Sequence, residues 1–314
     1  MNEVMELVLS ASFGFSVLRL TTPILLAALA SVISERVGVG NITMEGTMLI
    51  SAFTGVVVSA YSGSAWLGFL AGVLAGALSG YVLAYIIFKL QVDDILAGIA
   101  VNLLGSGGTV FFLFALTGVR GISTSLSSKV MPSVDIPLIK DIPVLGEIVY
   151  GHNIITYLSF LAVFVIWYLL FRTPLGLRIR SVGENPDAAK SVGVNVYKTK
   201  SIALTIAGVL SGMGGVYMSM GYVSWFARDM IAGRGFIALA AQQLGQGTTM
   251  GTFGSALIFG MADSLANNLQ ALQMPPEFVQ SIPYAVTILG LVVFSVLQRR
   301  KELKRMKQAV SKEG

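Results

Sequence analysis

The chain of 314 residues is 54% hydrophobic, carries only 12% charged residues and has a mean hydropathy of +0.78. Soluble domains hold roughly twice that charge, so a soluble fold is excluded and an all-α, polytopic membrane protein is expected. The net charge of +5 does not signal nucleic acid, because the Lys and Arg residues gather in two segments, six in 172–200 and seven in 299–314. By the positive-inside rule both segments are cytoplasmic.

The absence of cysteine removes disulfide, thiolate and cysteine-metal chemistry. Glu3 and Glu6 precede the first basic residue, Arg19, so a cleavable signal peptide is not expected and the first span is its own insertion signal. Apolar runs long enough to span follow at 17–34, 44–60, 65–88, 95–117, 152–171, 200–221, 250–268 and 280–298. A shorter run, 235–246, reaches only about 18 Å against a hydrocarbon core of about 30 Å, which predicts a broken helix in a protein-lined cavity. Parity requires it to count as a crossing, since 172–200 and the tail share the cytoplasmic side. About nine spans (8–10) result, with the N-terminus outside and Arg19 snorkelling near the outer end of the first.

"GVGNITMEG", Gly38 to Gly46, and "GRGFIALAA", Gly233 to Ala241, share a G-x-G-x-I pattern and on this topology run in opposite directions. One domain, 1–314, is therefore expected to hold two inverted repeats, 17–117 and 200–298. The span 152–171 separates them, 172–200 is a cytoplasmic loop and 299–314 a tail. Inverted repeats place a substrate path near the midplane between halves. Polar side chains within spans cost free energy in lipid and face protein or a wet path. Asn41, Glu45, Asn102, Gln242 and Asn267 are the candidates, Glu45 being equally suited to cap the broken backbone near "GVGN". For each of them, a helix-to-helix hydrogen bond is as consistent as substrate contact. Mostly uncharged amides suit a neutral polar solute. On this reading Asn102→Leu or Gln242→Leu loses transport while assembly survives. His152 reads as an interfacial residue, and the glycines of "GSGG" (105–108) and "GMGG" (212–215) as close helix packing. No H-E-x-x-H or G-x-S-x-G is present, and nothing indicates an enzyme.

The cytoplasmic stretch "RSVGENPDAAKSVGVNV", Arg180 to Val196, is polar and marked at both ends. Asn185 is placed to cap, Pro186 to open and Gly193 to end a helix over Pro186 to Val192. About seven residues are too few to be stable alone.

"SERVGVGNITMEGTMLISAF", "DDILAGIAVNLL", "RTPLGLRIRSVGENPDAAKSVGVNV" and "AGRGFIALAA" resemble the permease subunits of ABC importers for simple sugars and nucleosides, over roughly Val17 to Gln298. The short N-terminus and "NITMEG" are most similar to the shorter permease of nucleoside systems. The resemblance implies translocation of a neutral nucleoside, a purine nucleoside being the expected cargo. It also implies a tandem-domain ATPase that binds the ATP, a second homologous permease, and a substrate-binding lipoprotein of the basic-membrane-protein type. This chain itself would hold no cofactor, metal or nucleic acid. The short helix would dock on the ATPase, with Glu184, Asn185, Asp187 and Lys190 at the polar rim beside Pro186. Ala188, Ala189 and Val192 would press into the groove. A simple sugar or riboflavin permease is the alternative. A stand-alone secondary transporter is disfavoured by the coupling loop and by the scarcity of titratable groups in the spans.

Overall fold

Ser10 accepts the Phe13 amide and opens α1, Ala11–Arg36, in a computed structural model that describes residues 10–119, 121–135 and 145–271, and 285, 288, 290 and 292 singly. Every residue of α1 from Leu20 to Ser34 is buried, as expected for a helix apolar on all sides. It packs against all of the later long helices α7, α10 and α12 and the short α11, whose ranges follow.

Helices α2, Met44–Ser62, and α3, Ala65–Lys89, form a hairpin turned at Gly63, where φ is +68°. Asp93 caps α4, Asp94–Leu103, which continues through a π-helical turn, Leu104–Gly108, into α5, Thr109–Thr117. The short α6, Leu145–Val149, precedes α7, Ile154–Arg172, which Asn153 caps. Thr173 then caps α8, Pro174–Glu184, and Asn185 caps α9, Pro186–Ser191. Helix α10, Val196–Tyr217, ends in a second π-helical turn, Met218–Tyr222. Helices α11, Arg234–Leu244, and α12, Thr249–Ala271, complete the described chain. Among the described residues there are no strands, only isolated bridges such as Ile122 with Ala227.

Glycine sets the closest approach in the fold. Gly68, Gly72, Gly76 and Gly80 line one face of α3, and a side chain at Gly76 would come within 2.7 Å of the Gly212 Cα on α10. Backbone thus meets backbone, with small residues replacing the hydrophobic drive that lipid removes. The opposite face of α3 exposes Leu67, Leu70, Leu74 and Leu78, a surface suited to acyl chains. The packing role expected of "GMGG" holds at Gly212, Gly214 and Gly215. That of "GSGG" holds at Gly105, against the Gly46 Cα. Gly107 meets open space, and this run forms the π turn instead.

Six helices among the described residues are long and apolar enough to cross a membrane: α1, α2, α3, α4 through α5, α7, and α10 with its π turn. The expected nine also counts the runs 235–246, 250–268 and 280–298. Helix α11 has 11 residues, too few to cross alone, and α12 carries Asp263 among its polar groups. The run 280–298 and the tail 299–314 lie outside the described residues apart from the four single positions.

The chain's turns collect at two ends. At one, Arg36 of α1, the α8–α9 segment, the start of α4 and the turn between α11 and α12 meet. At the other, residues 121–135 lie over the ends of α2 and α10, through Lys129 to Ser59 and Met131 to Met220. Arg19 does not simply snorkel. Its guanidinium stacks on Tyr222 at 4.4 Å and donates to the Tyr222 carbonyl at 2.7 Å, satisfying the frayed end of the π turn.

Candidate functional site

Two helices start inside the body of the protein and meet there. Helix α2 begins at Met44 after an extended approach, and Asn41 organises it, its Oδ1 accepting from the Thr43 amide at 3.0 Å and hydroxyl at 2.7 Å. The Asn41 amide also donates to Ser34 of α1 at 3.0 Å. Asn102 on α4 clamps the same start, accepting from the Gly46 amide at 2.8 Å and donating to the Ile42 carbonyl at 2.9 Å. Asn102 lies eight residues along α4 from Asp94, so the junction stands about 12 Å in from that end of the helix.

Helix α11 begins at the same place and runs the opposite way. Gly233, its N-cap at φ +80°, has no side chain to cap with. Glu45 of α2 does so instead, its carboxylate accepting from the Gly233 amide at 2.9 Å and the Gly235 amide at 2.8 Å. A negative charge at a helix N-terminus also suits the helix dipole. Gly235 has no alternative, since a Cβ there would stand 2.5 Å from the Glu45 nitrogen. Beside this cap Arg234 pairs with Asp263 of α12 at 3.3 Å, both side chains being largely buried.

The sequence candidates thus separate. Asn41, Glu45 and Asn102 come together at the junction. Gln242 lies at the far end of α11, buried and hydrogen-bonded to Glu35 and, through Ser31, to α1. Asn267 is exposed on α12, apart from the others. The polar atoms of Asn41, Asn102 and Gln242 are committed to this chain's own helices. Leucine at Asn102 or Gln242 therefore removes structural bonds within this chain.

The α8–α9 segment also differs from its outline. The sequence marks one helix, but two form, with Asn185 serving as C-cap of α8 and N-cap of α9. Its Oδ1 accepts from the Ala188 amide at 3.0 Å, and Gly193, at φ +84°, follows the end. Helix α9 closes at Ser191, with Val192 as C-cap. Glu184, Asn185, Pro186, Asp187, Ala188 and Lys190 are exposed, and Val192 is 78% exposed. Ala189 is not available to a partner: it is 4% exposed and packed into this chain's own core. The apolar groups α9 offers outward are Ala188 and Val192.

His152 also departs from its expectation. It is buried rather than interfacial, stacked on Phe15 at 3.9 Å, with Nε2 against the Ile148 carbonyl at 2.9 Å.

Residues 14–291 match the family model described as the branched-chain amino acid transport system / permease component. The chain belongs to this family. As a permease component it is a transporter subunit rather than an enzyme, and a multi-pass membrane protein. It is 38% identical to the guanosine ABC transporter permease protein NupQ of Bacillus subtilis over 285 residues, 87% of this chain and 88% of that protein. Identity to the nucleoside ABC transporter permease protein NupC of Lactococcus lactis is 35%, over 87% of this chain and 89% of that protein. The putative glucose ABC transporter permease protein TsgC13 of Haloferax volcanii is 32% identical, over 85% of this chain and 86% of that protein.

Sequence reasoning missed two parts of the permease's interior. The Arg234–Asp263 pair joins positions with no local signal, although a lone Arg opening an apolar run was the available hint. The reach of Glu45 to the start of α11 is equally non-local.

Proposed function

We propose that this permease is the membrane subunit of an ATP-driven importer that carries a neutral nucleoside, with a purine as the base. The observation that carries this reading is the exposed, capped α9, held between two membrane helices in a basic segment, with Ala188 and Val192 facing outward. Two relatives are named for guanosine and for nucleosides, which supports the cargo. The glucose relative favours a simple sugar as the second reading.

In this reading nine crossings place the N-terminus outside and the α8–α9 segment in the cytoplasm. The permease forms two inverted repeats, which the opposed directions of α2 and α11 support. Glu184, Asn185, Pro186, Asp187, Ala188 and Lys190 meet a tandem-domain ATPase, the ATP being bound there. A second, homologous permease completes the path, and a basic-membrane-protein-type lipoprotein delivers the nucleoside. The junction of Asn41, Glu45 and Asn102 keeps the half-helices fixed beside the path. Gln242 anchors the inner end of α11, and Asn267 presents its amide toward the solute.

Reconstitution tests it. Vesicles holding the permease, its ATPase and binding protein should accumulate labelled guanosine only with ATP. Accumulation of glucose instead would select the second reading. Uptake by this chain alone, driven by an ion gradient, would overturn the ABC assignment.

A further inference from the structure

Arg36, the last residue of α1, stands between the segment that docks and the helix that is broken. On one side the contact is backbone on backbone. A side chain at Gly183, near the end of α8, would collide with the Arg36 carbonyl, and one at Gly38 would come within 3.3 Å of the Gly183 Cα. Nothing compressible separates the two, so displacement of α8 must displace the end of α1. On the other side the contact is polar. Arg36 Nε and Nη2 both donate to the Gly247 carbonyl, at 3.1 and 2.8 Å, in the turn that joins α11 to α12. Such charge-assisted, two-pronged bonds are directional and strong.

That turn is not a passive linker. Gln246 and Gly247 are both left-handed, at φ +57° and +59°, and Gln246 pays for a conformation that a residue with a Cβ avoids. The neighbouring Glu35 holds Gln242, so the end of α1 grips the turn on both flanks. From there α11 runs rigidly to the Glu45 cap and the start of α2. A polar cavity of about 290 Å³ lies between turn and α8, lined by Glu35, Arg180, Glu184 and Gln246. Arg180 Nε finds no partner there. The cavity leaves room for the surrounding side chains to shift while Arg36 keeps its grip.

We propose that Arg36 is the positioning residue that carries movement of the α8–α9 segment to the α11–α12 turn, coupling the ATPase stroke to the broken helix. This rests on the ABC permease reading above. Docked α9 moves α8, α8 moves the end of α1, and Arg36 pulls the turn and α11 with it. Between α8 and the turn, the space beside Arg36 is the polar cavity, so Arg36 is the bridge across it. Coupling of this kind requires an unbroken physical connection with a discrete responding element, and α11 with its strained turn is that element.

The test compares Arg36→Met and Arg36→Lys in the complete reconstituted importer. Arg36→Met should co-purify with the ATPase and hydrolyse ATP as the wild type does. Substrate moved per ATP hydrolysed should fall by about tenfold or more, the scale of losing two charge-assisted bonds. Lysine, which retains the charge and one bond, should give an intermediate ratio. Because the native chain has no cysteine, spin labels at Arg178→Cys on α8 and Met250→Cys on α12 report the same link directly. Their separation should be narrow in the wild type with and without ATP, and broad in Arg36→Met. Both readouts must change; a wild-type ratio or an unbroadened distance in Arg36→Met overturns the proposal. If Arg36→Met does not assemble with the ATPase, the distance measured in the permease alone decides it on the same criterion. Failure of the wild-type importer to take up substrate with ATP would instead overturn the permease reading itself.

Discussion

Glu45 joins two helices of the interior, because its two oxygens close a helix that has no cap of its own. Glu45→Ala leaves the Gly233 and Gly235 amides buried without acceptors, at a cost of about 2–4 kcal/mol. Glu45→Gln keeps one acceptor and should cost about half that. Thermal unfolding in detergent should rank wild type, Gln, then Ala; an alanine variant as stable as the wild type would remove Glu45 from this role. At the other end, burial and then the Arg19 charge hold the His152 ring below the ordinary imidazole range, although its bond to the Ile148 carbonyl acts the other way. Depression means that the unfolded chain takes up this proton first. Stability is therefore full above about pH 6.5 and declines as pH falls from there toward the folded value. His152→Gln should flatten that part of the stability–pH curve, and an unchanged slope would assign it to another group.

At the scale of elements, helix α9 shows what sequence can and cannot supply. Its caps were legible because capping is local: Asn185, Pro186 and Gly193 stand in a row and each does what its chemistry dictates. Its buried side was not legible, since Ala188 and Ala189 are the same residue type and only the packing of α8 and α10 decides which one turns inward. The consequence is practical. Ala189→Glu would disrupt this chain's own core and could not isolate docking, whereas Val192→Asp adds charge where only a partner would feel it. Val192→Asp should insert and fold as the wild type does, yet lose ATPase association, since burying an unpaired charge costs several kcal/mol. Pull-down with the ATPase at wild-type yield would show that α9 is an ordinary connector.

At the scale of the molecule, the long apolar helices were legible from hydropathy because lipid imposes a length. The boundaries of α2, α3 and α4 through α5 fall within a few residues of expectation. What sequence could not show is how the helices share their polar groups, since Glu45 with Gly233 and Arg234 with Asp263 join distant positions. Orientation is open to direct measurement. A cysteine at Ser127, exposed in the segment over α2, should react with an impermeant reagent on intact cells, and one at Arg178 on α8 only after permeabilisation. The reverse pattern would invert the proposed topology.

The burial of α1 also imposes an order in time. It is the first described helix made, yet its fit depends on α10, α11 and α12, which are made last. At about 5–20 residues per second, on the order of ten seconds pass between synthesis of Arg36 and of Val196. Throughout that interval Thr21 lacks Gly260 beside it and Ser31 lacks its partner Gln242. The nascent chain must therefore be sheltered, by the insertion machinery or by the α2–α3 hairpin, until its own C-terminal half arrives. Ribosome stalling before Val196 should leave α1 accessible to crosslinkers on that machinery, and release past Ala271 should end the contact.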